Sequence, residues 1–219
     1  MKRDVDVLEF ASEVEKALRQ GVLLTTKAGG RVNTMTIGWG SLGVIWGRAV
    51  FTAYVREGRL TRALLDENPE FTVNIPRGRL DRGILGFAGS RSGRDADKIA
   101  ELGLTLEEPV TVSVPAIAEL PLTLECKVIY RQPQEPMLLD DRFRRAFYPE
   151  GVPSTECGVN EDRHVAYYGE IVAAYIIGRR RRRLPCTTLL IANHCRVPYA
   201  HLLLPHLRQR HPARDVPLP

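Results

Sequence analysis

Long apolar runs are missing from this chain of 219 residues, in which no stretch of about 18 apolar side chains occurs. Nothing in it therefore reads as a transmembrane helix, and no membrane partner is expected. The opening MKRDVDVLEF has two basic residues but no apolar segment behind them, which does not make a signal peptide. The expectation is a cytoplasmic protein. Cysteine is scarce as well: Cys126, Cys157, Cys186 and Cys195 form no C-x-x-C pair, and without a leader they do not suggest a disulfide framework. His194 and Cys195 are adjacent, a spacing that seldom serves one metal without further ligands, so no metal site is expected. There is no G-x-x-x-x-G-K-[ST] loop, and neither a Walker nor a Rossmann site is expected. Paired carboxylates and a nucleophile triad are also absent from the pattern.

Acid and lysine are almost missing from one part only. Residues 179–219 hold nine arginines, no lysine and a single acid, Asp215. That segment carries +8, and since the whole chain carries +5, residues 1–178 are left with −3. A nucleic-acid argument would have to rest on the tail alone, and none is expected. Composition breaks at Gly178, which divides the chain into a domain over 1–178 and a basic, atypical tail over 179–219. Arginine runs outside a fold are usually solvated, so the tail reads as poorly ordered and dispensable; a basic arm for an anionic partner is the alternative.

Within 1–178 the patterning is mostly that of strands. VLEFASEVEKALRQG has helical spacing at Val7, Leu8, Ala11, Val14 and Leu18 and stops at Gly21. VLLTTK and RVNTMTIG flank Gly29-Gly30 and read as a hairpin. Strands follow over 48–55 and 70–76, with a helix over 60–68 that Pro69 closes. A helix over 79–90, a polar loop capped by Asp95 or Asp97, and a short helix come next. Long strands cover 120–132 and 164–177, the second bulged at Gly169, with a loop and one helix near 138–147 between them. At least six antiparallel strands with short helices predict a mainly β architecture, a barrel with helical decoration. Residues 32–43, VNTMTIGWGSLG, crowd small side chains around Trp39. Such a run is either a bulge and turn or a place where a ligand comes close to backbone.

Four stretches in order, NTMTIGWGSLG (33–43), VREGRLTRALLDENPEFTVNIP (55–76), SGRDADKI (92–99) and HVAYYGEIVAAYI (164–176), resemble the flavin reductase-like family of FMN-binding split barrels, in particular its flavoredoxin-like members. The resemblance covers nearly all of 20–178; residues 179–219 have no placed counterpart. It implies an antiparallel split β-barrel, a homodimer, and one FMN per subunit in a groove at the interface. Asn33, Thr34, Met35 and Thr36 would line the ring edge, with Ser41 nearby and Trp39 either beside the ring or filling the barrel end. Arg56, Arg59 and Thr61 stand just before a helix, where cations, a hydroxyl and a helix N-terminus suit a phosphate; solvated arginines in a turn are the plainer reading. Ser92 and Lys98 are further cofactor candidates. Asn74 either faces the cofactor or ties down its strand. His164 would sit at the flavin ring where nicotinamide stacks, or be structural. Glu170 would hold a turn or pair with an arginine across the dimer.

The reaction so implied is hydride transfer from NADH or NADPH to FMN, then electron release to an acceptor. The flavin supplies the chemistry and the protein the binding and orientation. A flavoredoxin-like carrier with bound FMN and a protein partner is one alternative, and a flavin-binding protein without turnover is another.

Overall fold

A computed structural model describes residues 1–78, 81–151 and 162–178. The expected tail, Cys157, Cys186, Cys195 and His194 lie outside them. Asp6 accepts the Leu8 N–H at 2.9 Å and starts a 3-10 turn over Val7–Phe10, where the expected helix begins. Strand β1 (Lys2–Asp4) precedes it, and α1 (Ala11–Leu18) follows with Val14, Ala17 and Leu18 buried. β2 (Val22–Ala28) and β3 (Arg31–Ile37) form the expected hairpin. Gly29 and Gly30 both take positive φ there, +53° and +78°, as a tight two-residue turn requires.

Next come β4 (Gly40–Ile45), β5 (Arg48–Arg56), α2 (Leu60–Glu67) and β6 (Glu70–Ile75). α3 (Arg82–Ser90), α4 (Lys98–Glu101), β7 (Leu106–Glu107) and β8 (Ala116–Ile117) make the middle of the chain. β9 (Leu122–Pro133), α5 (Asp141–Phe147) and β10 (His164–Ile177) complete it. Every strand pairing is antiparallel, in the path β3-β2-β6-β9-β10-β5-β4, with β1 also on β10 and β7 on β8 apart. The sheet is not closed, which is the split form of the barrel. Asp97, not Asp95, caps α4, accepting from Ile99 N and Ala100 N at 3.1 Å each. β10 shifts register at Tyr168/Gly169, as expected, and a second time at Ile171/Ala173. A Cβ on Gly169 would lie 2.5 Å from Phe71 Cζ, so the bulge is a place of close packing.

The stretch around Trp39 is explained by topology. β3 ends one side of the sheet path and β4 the other, so Gly38-Trp39 is the crossing between them. A Cβ on Gly40 would meet Phe51 Cζ and Thr52 O at 3.0 Å each. The glycine lets β4 settle onto β5. In letters, Gly38-x-Gly40-x-x-Gly43 has dinucleotide-fingerprint spacing, but it opens a strand rather than a helix, so it has no helix N-terminus for a pyrophosphate. β4 itself escapes a propensity reading because half its residues are glycine or serine.

Strand alternation sorts the core. Val22, Leu24, Val55, Phe71, Val73, Leu124 and Val165 pack inside the barrel with α1. On the other face of β2, Leu23 packs with Leu85 and Ala88 of α3 and with Ile117 and Leu120. That second face also carries a buried polar layer. The Thr25 and Thr34 hydroxyls are 3.0 Å apart, and Asn74 Nδ2 donates to Thr123 Oγ1 at 3.0 Å. Glu125 ends the layer, with Tyr175 Oη donating to it at 2.8 Å.

Candidate functional site

Two segments far apart in sequence meet at the edge of the barrel. The first, Gly58–Thr61, leads into α2; the second, Ala88–Lys98, links α3 to α4. With Asn33, Met35 and Thr36 of β3 they enclose a cavity of about 70 Å3. A more open groove of about 500 Å3 adjoins it and shares Asn33, Gly93, Arg94 and Lys98 with it. The smaller cavity is lined by Arg59, Arg91, Arg94 and Lys98 and, among the described residues, by no carboxylate. α2 has no side-chain cap on its N-terminus. Its first turn therefore offers unclaimed N–H groups and the positive end of its dipole to whatever fills the cavity.

The hydrogen bonds show how the cavity is built. Asn33 Nδ2 donates to Thr61 Oγ1 at 3.0 Å, which leaves the threonine proton free to be donated. Arg31 donates to the Gly93 carbonyl, and Arg94 Nη1 donates to the Gly58 carbonyl at 2.8 Å, tying the two loops together. A Cβ on Gly93 would fall 2.0 Å from Asn33 Oδ1, so only glycine lets this loop approach β3. Lys98 is buried and donates to the Ala88 carbonyl at 2.8 Å. Burial, then the charge of Arg59, pulls its ammonium down to about 8. Burial, then Arg56, likewise lowers Arg59, against the pull of Asp162. Clustered cations that lower one another in this way attract an anion. β3 is also an edge strand, and its outer side offers every second N–H and C=O to a ligand.

The expected site residues divide accordingly. Asn33, Met35, Thr36, Arg59, Thr61, Ser92 and Lys98 line the cavity together. Thr34 does not: it shares a strand face with Thr36 but is fully buried, its hydroxyl against that of Thr25. Asn74 is fully buried in the same polar layer and ties β6 to β2 and β9. Ser41 is exposed on β4, opposite Thr52, away from the cavity lining. Arg56 pairs with Asp162 at 3.5 Å rather than lining the cavity. Gly38, Gly40 and Gly43 do not line it either, so the small residues serve the strand crossing rather than a ligand. Glu170 pairs within its own chain, with Arg48 at 3.6 Å.

His164 and Trp39 do not line the cavity and form a second centre, His164 feeling the charges of Arg56 and Arg59. His164 stands opposite Arg56 in the β10–β5 register and is 6% exposed. Its ring lies 4.7 Å from that of Trp39, centroid to centroid, with 33° between planes. Phe147 meets Trp39 edge-on at 5.4 Å. Burial and then Arg56 pull the imidazole down to about 4, with Asp162 opposing and Arg59 adding to the fall. A histidine neutral in the folded chain to about pH 4, but with an ordinary pKa near 6.5 when unfolded, binds fewer protons folded than unfolded between those values. Its contribution is complete above pH 6.5 and is lost as pH falls toward 4, by about 1.4 kcal/mol per pH unit at most. Chemical denaturation at pH 7, 6, 5 and 4 should show this loss, and His164→Gln should flatten it.

Arg31 and Arg91 joined the site without a sequence signal. Arg31 meets Gly93 across 62 positions, a contact no local pattern predicts. Tyr148, which meets His164, is a single tyrosine after a short helix and equally silent.

The class is thus an antiparallel split barrel with a cationic cavity between an edge strand and a helix whose N-terminus has no side-chain cap. Residues 17–195 match the flavin reductase like domain, and the chain belongs to that family. The match continues past the composition break at Gly178. Over 97 residues the chain is 33% identical to an uncharacterized protein of Archaeoglobus fulgidus, covering 44% of this chain and 54% of that protein. It thus spans about half the length of the curated relative it matches. Its fold is similar to that of the flavoredoxin of Desulfovibrio vulgaris (Miyazaki F), with a TM-score of 0.53 at 22% identity over 72% of this chain and 69% of that one. Nitrilotriacetate monooxygenase component B from Bacillus cereus is similar in fold at a TM-score of 0.53 and 16% identity, covering 80% and 81% of the two chains. Flavoredoxin from Methanosarcina acetivorans gives 0.51 at 24% identity, over 72% and 68%.

Proposed function

We propose that this chain is an NAD(P)H-dependent, FMN-binding oxidoreductase of the cytoplasm. The carrying observation is the cavity in which Arg59, Lys98 and Thr61 converge at the start of α2 with no acid in its lining. The residues fit FMN: the cavity has room for a phosphate and its cations suit one. The adjoining groove along β3 then takes the flat ring and the ribityl chain. Bound there, FMN would accept a hydride from NADH or NADPH and pass electrons on. Arg59 and Lys98 neutralise the phosphate, and Thr61 donates its proton to a phosphate oxygen. Asn33 holds Thr61 in place, and Met35 gives the cavity an apolar wall. No general base is needed for hydride transfer. The protein's part is orientation and exclusion of water. His164 and Trp39 form the place beside the flavin where a nicotinamide stacks.

A homodimer belongs to the same reading. Trp46, Tyr130 and Tyr168 cluster on the outer sheet, Trp46 meeting Tyr130 at 5.9 Å and Tyr130 meeting Tyr168 at 5.3 Å. Trp46 is 63% exposed and holds a positive φ of +53°, a conformation bulky residues seldom adopt. A second copy of the chain covering this face would bury it and complete the groove. Sedimentation equilibrium should return twice the 24.6 kDa of one chain; a monomer at micromolar concentration contradicts it. Within the chain, residues 1–178 are the FMN-binding domain and 179–219 a basic tail that is not needed for it.

The test of function is anaerobic addition of NADH and then NADPH to the FMN-loaded protein, followed by absorbance. Bleaching of the flavin band by either nucleotide is the expected result. FMN that stays bound through purification and is reduced only by a protein partner gives the flavoredoxin-like carrier instead. No reduction by any donor makes the chain a flavin-binding protein without turnover.

A further inference from the structure

His164 is held from a direction the reaction does not require. Tyr148, the residue after α5, places its Oη 2.7 Å from His164 Nδ1. The two rings meet edge-on, 5.9 Å apart at 86°. α5 itself buries no residue. Its last side chain, Phe147, packs on Trp39, and Tyr148 takes the histidine. The backbone of His164 is fixed too, since its carbonyl accepts from Gln134 N at 2.8 Å. Two aromatic residues of one weakly buried helix thus close over the Trp39–His164 pair.

We infer that Tyr148 is a positioning residue, locking His164 as the tautomer with its proton on Nε2 and holding that ring against Trp39. The inference rests on the proposed role of His164 beside the flavin. It follows from the protonation of the two partners and from which of them is the better donor. Burial, then Asp162, raises the Tyr148 phenol, with Arg56 opposing, so the phenol keeps its proton. The imidazole is neutral at pH 7, being drawn down by burial, Arg56 and Arg59 against Asp162. The phenol oxygen could accept from an Nδ1–H as well, but a phenol is a good donor and a poor acceptor while a bare imidazole nitrogen is a strong acceptor, so the O–H donates to nitrogen. That nitrogen is Nδ1, so the ring proton sits on Nε2. The charged groups that face this pair are Arg56 on β5, Arg59 before α2 and Asp162 before β10. None is a carboxylate bonded to the imidazole that would compete for Nδ1. Nε2–H is then a donor of fixed direction, unchanged across the neutral range, for the carboxamide of a nicotinamide or the edge of the flavin.

The experiment is long-range 1H–15N correlation of the histidine rings in the full chain, uniformly 15N-labelled, with His164 assigned by its disappearance in His164→Gln. The parent should show a bare Nδ1 and a protonated Nε2 for His164, with shifts constant from pH 5.5 to 8. Tyr148→Phe keeps the ring and removes the donor; it should move both nitrogens toward averaged positions while the other histidines stay in place. A parent with the proton on Nδ1, or a Tyr148→Phe spectrum identical to the parent's, overturns the inference. Neither readout needs flavin. With FMN loaded, the same variant should slow single-turnover reduction by NADH several-fold at unchanged FMN affinity. If the tautomer shifts and that rate does not, the role of His164 beside the nicotinamide falls, while the positioning by Tyr148 stands.

Discussion

Glu125→Ala should destabilise the chain by about 3 kcal/mol, with a fall in melting temperature of about 6–12 °C. Glu125 is fully buried, in the middle of β9. One carboxylate oxygen accepts from Val110 N at 2.7 Å and Tyr175 Oη at 2.8 Å; the other accepts from Thr111 N at 2.7 Å and Val112 N at 3.1 Å. A loop of backbone N–H groups is thus closed onto one side chain. Glu119 and Glu70 brace its two sides, Glu119 at Thr105 N and Glu70 at Ser113 N. Truncation leaves four donors to find water, and each buried donor left unpaired costs about 1–3 kcal/mol. Water reaching the exposed Val110 end reduces the sum. Burial and Glu125 push the Tyr175 phenol far up, so it remains a donor over the whole accessible range. Tyr175→Phe removes a single bond and should cost about 1 kcal/mol. Urea unfolding of both variants, with equal slopes, checks the ordering; equal losses would show that the loop N–H groups are not held by this carboxylate.

Arg59→Ala should weaken FMN by about tenfold or more and leave riboflavin nearly unaffected, a charge-assisted hydrogen bond being worth about 1.5–3 kcal/mol. Lys98 adds a pH dependence to the same site. It is drawn to about 8 before any anion binds, and a phosphate beside it raises it again, so FMN binding takes up a proton. Affinity is therefore greatest below pH 8 and declines as pH rises above it, by at most about tenfold per unit. Lys98→Met should bind more weakly at pH 7 and lose the decline between pH 8 and 9.5. Fluorescence titrations at four pH values read both effects. A similar loss for FMN and riboflavin in Arg59→Ala would place the arginine at the ring or in the fold instead of at the phosphate.

The hairpins and helices were legible where the sequence punctuates itself. Gly29-Gly30, Pro69 and Asp97 mark boundaries that follow from backbone geometry and capping. β4 was not legible, since a strand of Gly40, Ser41 and Gly43 has no propensity of its own and exists because β5 lies beside it. β1 is three residues long and is a strand only by pairing with β10. The cavity was half legible. VREGRLT and SGRDADKI carry Arg59, Thr61, Ser92 and Lys98, and these do come together. The resemblance sets Thr34 at the ring edge and leaves Asn74 either facing the cofactor or tying down its strand; the structure shows the second for Asn74. Thr34 shares its strand face with Thr36 but is covered by the polar layer of Thr25, in which Asn74 also lies, a packing that strand period alone does not reveal. Tyr148 and Arg31 belong to long-range contacts, which one sequence does not encode locally.

The most direct test of the account is titration of flavin-free protein with FMN, and then with riboflavin, at pH 7. The account predicts saturable quenching of flavin fluorescence at one FMN per chain, and at least about tenfold weaker binding of riboflavin, the loss expected when charge-assisted bonds to phosphate are removed. Absence of quenching at micromolar protein, or equal affinity for the two flavins, would contradict it.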